Sequence, residues 1–272
     1  LFPHESIENG FDIAVVGEGE MPLEGIINHL RNPSDLDLTQ VKGLTFKNED
    51  GSVASTGSAD IIQDLDGLPF PARHLFDPDE FRTADGELKG YGSLIGTRGC
   101  PFKCTFCSTS AFGPRYRRRS PDNVIDEIKK VKNDYGTDTF TFVDDQFFLK
   151  KSQILEMCDK LVRREANIKW NCGCRTELVN EENLIAMKSS GCFQINFGIE
   201  SGDPGTLRKI QKGNTREDAL KAVRATKKAG IRVYANFMTG FPWESAEQIN
   251  NTAGFIKELR PWVDRFSNSG VL

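Results

Sequence analysis

From residue 91 onward, the pattern of apolar and polar positions switches period in a regular beat. Short strand-like runs alternate with longer stretches of helical spacing, which predicts strands over 93–97, 139–143, 169–174, 193–199, 232–237 and 265–267. Helix signals fall between them. Ser120-Pro121 opens one helix, Ser152 a second, and Asn180 a third that stops at Gly191. Thr215 opens a fourth that stops at Gly230, and Ser245 with Gln248 forms a capping box for a fifth. Strand–helix repeats with short connections predict an α/β fold, its parallel sheet curled into a partial (βα)6 TIM-like barrel.

The strand faces carry a second message. Gln194, Asn196, Gly198 and Glu200 share one face of their strand, and Phe193, Ile195, Phe197 and Ile199 share the other. Arg232, Tyr234, Asn236 and Met238 oppose Ile231, Val233, Ala235 and Phe237, while Asn171, Gly173 and Arg175 oppose Trp170, Cys172 and Cys174. A parallel strand buried on both faces reads as continuously apolar, and a closed eight-stranded barrel fills its lumen with Val, Ile and Leu. One polar face on three successive strands predicts a wider barrel with a polar cavity. The alternative is a sheet with one solvated face.

The first 75 residues read differently. An apolar strand over 12–16 runs into Gly17-Glu18-Gly19-Glu20 and a helix over 22–30, a unit that cannot make a sheet alone. Runs at 41–46 and 52–54 flank Asn48-Glu49-Asp50-Gly51 and predict a hairpin. The Pro-rich stretch 64–78 reads as a linker. A first residue other than Met predicts that further chain precedes Leu1, and a C-terminal region is expected to follow 272.

Composition narrows the class. The chain has 272 residues, 27% of them charged, and a net charge of −4, which suits a globular protein. It offers no electrostatic footprint for nucleic acid or anionic membranes. No apolar run reaches the length of a membrane span. Seven cysteines are too sparse and irregular for a secreted disulfide framework, and their odd number agrees with a reducing, cytoplasmic location.

Three of those cysteines carry the chemistry. Gly99-Cys100-Pro101-Phe102-Lys103-Cys104-Thr105-Phe106-Cys107 follows the first barrel strand directly. Composition alone would produce a C-x3-C-x2-C spacing about 0.005 times in such a chain. Thiolates favour zinc, copper(I) and iron–sulfur clusters. Three of them can hold three irons of a [4Fe–4S] cube and leave the fourth open. A structural zinc site wants a fourth Cys or His nearby, and His74 is distant in sequence, so a non-enzymatic zinc or iron–sulfur binding module is the alternative from another class. Cys158, Cys172, Cys174 and Cys192 read as core thiols. The run Arg115-Tyr116-Arg117-Arg118-Arg119 reads as a solvated surface.

With this loop after the first strand, the stretch 90–272 resembles the radical S-adenosylmethionine (radical SAM) superfamily. The resemblance implies a [4Fe–4S] cluster on Cys100, Cys104 and Cys107, and reductive cleavage of SAM to methionine and a 5′-deoxyadenosyl radical. It places Phe106 near the adenine, Asp144 and Asp145 around the SAM amino group, Arg175 at its carboxylate and Glu200 at the ribose. Asn236-Phe237-Met238-Thr239-Gly240 matches the family's fifth-strand adenine motif in part, which adds Asn236, Met238 and Gly240, with Glu244 one position late.

The Asp-Asp form, the Tyr116–Pro121 segment and the 12–30 unit resemble the cobalamin-linked subgroup. That implies a C-terminal remnant of a Rossmann-like cobalamin-binding domain at 1–31, a hairpin and linker at 32–89, and the radical SAM core at 90–272. It also implies cobalamin in the full-length protein, a methyl transfer or related radical reaction, and a low-potential electron donor such as flavodoxin or ferredoxin. A cobalamin-independent radical SAM enzyme is the alternative within the class. Lumen positions Gln194, Asn196, Arg232 and Tyr234 suggest a polar small-molecule substrate.

Overall fold

The computed structural model describes residues 2–32, 34, 37–48, 50–77, 92–108 and 112–271. Leu1, Glu49 in the expected turn, Pro78 at the end of the expected linker, the expected limit at 89/90, Tyr91 and Leu272 lie outside the described residues. Two compact units form: Leu1–Leu65 with Ser108–Arg115, and Asp66–Cys107 with Tyr116–Leu272.

In the first unit, helix α1 (Pro3–Glu8) precedes strand β1 (Ile13–Val15), helix α2 (Glu20–Arg31), and strands β2 (Leu44–Lys47) and β3 (Val53–Ser55). The expected hairpin is β2–β3, its turn fastened by the Ser52 N–H and hydroxyl donating to Asp50 Oδ1. β1 does not stand alone: it pairs antiparallel with β2, Ala14 opposite Thr45. Neither partner of this three-stranded sheet could bury a face by itself, and together they enclose Val41, Leu44 and Phe46 against Ile13 and Ile26. Glu18 of the Gly-Glu-Gly-Glu turn is buried and accepts the Ile62 N–H at 3.3 Å. Its role there is a structural tie within the unit.

In the second unit, a 3-10 turn at Arg73–Leu75 and three two-residue strands, β4 (Ser93–Leu94), β5 (Thr97–Arg98) and β6 (Arg117–Arg118), are described first. Then follow α3 (Pro121–Tyr135), β7 (Thr139–Phe142), α4 (Lys151–Arg163), β8 (Lys169–Cys174), α5 (Glu181–Ser189), β9 (Cys192–Glu200), α6 (Pro204–Lys209), α7 (Arg216–Lys228), β10 (Arg232–Thr239), α8 (Ala246–Leu259) and β11 (Arg265–Gly270). Among the described residues, six strands form one sheet in the order β11-β10-β9-β8-β7-β4, every neighbouring pair parallel. Chain order and spatial order coincide, as repeated strand–helix units require.

The expected caps explain most helix starts. Ser120 accepts the Asn123 N–H, Asn180 that of Asn183, Thr215 that of Asp218 and Ser245 that of Gln248. Ser152 is the exception. α4 starts one residue before it, and Gln153 Oε1 reaches back to accept the Leu149 and Lys150 N–H groups.

The alternation of faces holds except at Phe193, where the β8–β9 register shifts: Cys192 enters the core and the Phe193 ring lies under the Arg232 guanidinium at 4.9 Å. Ile195, Phe197, Val233, Ala235 and Phe237 are at most 1% exposed and share one core cluster with Ile125, Ile128, Ile154 and Phe255 of the helices. Burial of each such side chain stabilises by about 1.5–3 kcal/mol. Cys158, Cys172, Cys174 and Cys192 belong to this cluster, as expected of packing thiols. The opposite face carries polar rows set by register. Thr141, Asn171, Gln194 and Arg232 are successive partners across β7–β10, and Gly198, Asn236 and Ser267 across β9–β11. Bonds run along each row: Asn171 Nδ2 donates to Thr141 Oγ1 at 2.9 Å and Ser267 Oγ to Asn236 Oδ1 at 2.6 Å.

The basic run departs from a solvated surface. Arg117 is buried, and Arg119 joins Arg73 on the carboxylate of Glu127, which is 1% exposed. Only a paired carboxylate is tolerable at such a depth.

Candidate cofactor site at the cysteine loop

The first barrel strand, expected over 93–97, is broken. β4 pairs with β7, and the Val143 N–H donates to Leu94 O at 3.0 Å as the last rung. Two residues later Gly96 turns away from the sheet. A Cβ on Gly96 would stand 2.8 Å from the Phe147 ring, so only glycine passes here. Its N–H donates to Asp144 Oδ1 at 2.8 Å, and the Thr97 hydroxyl donates to the same oxygen at 2.6 Å. β5 then pairs antiparallel with β6, Thr97 opposite Arg118, and the Arg119 N–H donates to Gly96 O at 2.9 Å. The cysteine loop is thereby slung from a two-stranded clamp.

Cys100 and Cys104 are half-buried, Cys107 is exposed, and none is bridged. The Cys107 N–H donates to Cys104 O at 3.1 Å, and the Thr105 N–H to Ile210 O at 3.0 Å. Burial first, then the charges of Cys100, Cys104 and Asp145, push the Cys107 thiol up; Lys212 acts in the opposite sense. Three thiols that repel one another when ionised suit a cationic group that relieves the repulsion. The other four cysteines are buried in the core, so the loop offers three thiols, the donor set of a cluster with one iron left open.

Two aromatic–cation contacts flank the loop. The Arg175 guanidinium lies 3.8 Å from the Phe102 ring centroid, and Lys212 Nζ lies 5.8 Å from that of Phe106. Arg175 also donates to Lys212 O at 2.6 Å and pairs with Glu177. Lys212 Nζ meets Glu200 Oε1 at 2.8 Å. Glu200 ends β9 with a φ of +67°, a left-handed conformation uncommon outside glycine. Gly198 makes room for that pair: a Cβ there would lie 2.5 Å from Glu200 Oε1 and 2.9 Å from Lys212 Nζ. Phe106 packs with Phe241 at 6.4 Å, in the cluster that includes Met238.

The structure thus gathers Phe106, Arg175, Glu200 and Met238 near the cysteine loop through shared contacts. Asn236 is engaged by Ser267 within the polar face, and the exposed Gly240 donates its N–H to Glu244 Oε2 at 2.8 Å. Asp145 is exposed and acts electrostatically on Cys107; Asp144 is tied to Gly96 and Thr97. Lys212 and Phe102 were not singled out from sequence. Lys212 lies in an irregular loop beyond α6, where no periodicity announces it. A groove of about 960 Å³ between α6, α7 and α8 contains none of the predicted site residues.

Fold and loop define a parallel α/β domain with a thiolate cofactor loop after its first strand. Residues 94–256 match the Radical SAM superfamily. The chain belongs to that superfamily. It is 35% identical to an uncharacterized methyltransferase of Pyrococcus horikoshii over 91% of this chain and 53% of that protein. It is 28% identical to the cytidylyl-2-hydroxyethylphosphonate methyltransferase of Streptomyces wedmorensis over 99% of this chain and 55% of that one. The chain spans about half the length of these curated relatives. Among solved structures, the cobalamin-dependent S-adenosylmethionine radical enzyme OxsB with aqua-cobalamin bound superposes with a TM-score of 0.77 at 20% identity, covering 93% of this chain and 37% of that one. The radical S-adenosylmethionine methyltransferase TsrM from Kitasatospora setae, with tryptophan substrate and a SAM analog bound, gives 0.77 at 20%, covering 97% and 52%.

Proposed function

We propose that the chain is the core of a radical SAM enzyme whose Cys100, Cys104 and Cys107 hold a [4Fe–4S] cluster. The observation that carries this reading is the clamped loop of three unbridged thiols beside the Glu200–Lys212 pair. When bound, cluster and SAM supply reductive cleavage of a carbon–sulfur bond to a 5′-deoxyadenosyl radical. The chain's own residues bind and orient. Phe106 and Met238 offer an apolar wall to the adenine, with Asn236 and Gly240 at its rim. Glu200 offers a carboxylate to the ribose hydroxyls, Lys212 and Arg175 offer positive charge to the SAM carboxylate, and Asp145 offers negative charge to its ammonium group. A low-potential donor such as flavodoxin or ferredoxin is the expected reductant.

The sequential parallel sheet and its continuous polar face support a partial (βα)6 barrel with a polar lumen, suited to a polar small molecule. For the whole protein we propose a cobalamin-dependent methyl transfer or related radical reaction, since relatives are named methyltransferases and similar folds belong to cobalamin-dependent enzymes. The division proposed for it remains 1–31, 32–89 and 90–272, with β1 of the first part pairing with β2 of the second. On α2, Leu23, Ile27 and Leu30 share one face and are at least 40% exposed, an apolar surface that supports 1–31 as part of a larger domain. Among the described residues no helix is long and apolar enough to cross a membrane.

The test is anaerobic reconstitution with iron and sulfide. The expected result is about four irons per chain, a [4Fe–4S] spectrum, and dithionite-dependent SAM cleavage that Cys104→Ala abolishes. Zinc without iron, or cleavage surviving Cys104→Ala, overturns the reading. Hydroxocobalamin binding by the full-length protein separates the cobalamin-dependent reading from the cobalamin-independent one.

A further inference from the structure

The two neighbouring aspartates past β7 sit in different environments. Asp145 is exposed and its charge reaches Cys107. Asp144 has turned its carboxylate inward. Oδ1 accepts both the Gly96 N–H and the Thr97 hydroxyl, while Oδ2 is buried with no hydrogen-bond partner among the described residues. Oδ2 has no surface open to solvent, so an incoming ammonium could reach this carboxylate only if the atoms that cover it moved.

Those bonds lie where the backbone needs help. The β4–β7 ladder ends at the Val143 N–H to Leu94 O rung, and the Gly96 N–H would otherwise have no strand to donate to. Asp144 supplies the acceptor that the ladder lacks. It ends the sheet and directs the chain into β5, which pairs with β6 and delivers Gly99-Cys100. The Thr97 side chain also approaches Gln146 O at 3.1 Å, so both sides of the turn are tied to the segment after β7.

We propose that Asp144 is a positioning residue for the cysteine loop and not a ligand of the cofactor's ammonium group, which leaves that task to Asp145. The assignment rests on the reading of Cys100, Cys104 and Cys107 as cluster ligands. It divides the Asp-Asp pair into an anchor and a binding group. What anchors is an acceptor oxygen at a fixed place, so an isosteric amide should serve nearly as well and a methyl group should not.

The experiment uses the full-length protein in two measurements. Hydrogen–deuterium exchange on cluster-free protein reads the β5 and β6 amides, and iron release to a strong chelator reads the reconstituted loop. Asp144→Ala is expected to speed both at least tenfold without SAM present, and Asp144→Asn to stay within about threefold of wild type. Thr97→Val, which removes one of the two donors in an isosteric side chain, should speed both about threefold and decides the matter if Asp144→Ala does not fold. Asp145→Asn should leave the exchange rate unchanged while weakening SAM binding, read by its perturbation of the cluster spectrum, at least tenfold. Wild-type rates in Asp144→Ala or in Thr97→Val overturn the proposal, as does an Asp144→Asn protein as fast as Asp144→Ala. Wild-type protein that takes up no cluster overturns the cofactor reading instead, and the exchange measurement still decides the anchoring.

Discussion

The ends of β7 and β9 each carry a carboxylate, and the two are held in opposite ways. Glu200 has a cation, Lys212, at 2.8 Å, and a missing side chain at Gly198 gives the pair its space. Asp144 has only neutral donors, both on one oxygen, and its other oxygen is buried without a partner. A charge with a nearby counter-charge can be exchanged for a ligand at modest cost. A charge withdrawn among neutral donors is kept at a cost for what it holds in place. Binding groups and anchoring groups thus differ in what holds their charge.

Substitutions at these carboxylates and their partners test the difference. The largest effect is expected at a third buried carboxylate, Glu127, which faces both Arg73 and Arg119. Glu127→Ala leaves two largely buried guanidinium groups without their shared counter-charge, and urea unfolding should show a loss of about 3–5 kcal/mol.

Next comes the pH dependence of Asp144. Burial pushes its carboxyl up to about 6 against the ordinary 3.8, partly opposed by the Thr97 and Gly96 hydrogen bonds. Because the folded value lies above the unfolded one, the folded state holds the proton longer. This group's contribution is therefore fully present below pH 4 and is lost as pH rises through 6. Relative to Asp144→Asn, wild-type stability should fall by up to about 3 kcal/mol between pH 4 and 7. A flat difference between the two curves would place Asp144 with the paired carboxylates.

Lys212→Met should lower SAM affinity about tenfold, or about 1.4 kcal/mol, while leaving the iron content of the reconstituted protein unchanged. Loss of iron in this variant would make Lys212 an anchor as well. The smallest effect belongs to the exposed pair Arg163–Asp159, where Arg163→Ala should change stability by less than about 0.5 kcal/mol.

Much of the fold was legible because it is written in short-range chemistry. The caps Ser120, Asn180, Thr215 and Ser245 act on N–H groups three residues away, so local sequence suffices to find them. The alternation in β8–β10 is a property of strand geometry and survives in the structure except at Phe193, where a shift in register puts Cys192 in the core instead. Ser152 misled because Gln153 competes for the same helix start with a longer reach. The clamp β5–β6 was missed because its two-residue strands lie about twenty residues apart and show no periodicity. The basic run misled in the same way, since only packing reveals that Arg119 shares Glu127 with Arg73.

The candidate site divides along the same line. The cysteine spacing by itself determined the soft-metal chemistry, because three thiolates in one short loop constrain the ligand whatever surrounds them. The strand pattern determined the order of the sheet and which face is polar, since period and connection length leave few alternatives. Which of two adjacent aspartates turns inward, and which cation answers Glu200, was decided only by tertiary structure. Both depend on residues dozens of positions away, Gly96 and Thr97 for Asp144, or in an aperiodic loop, Lys212 for Glu200, and bonding at that range leaves no local pattern.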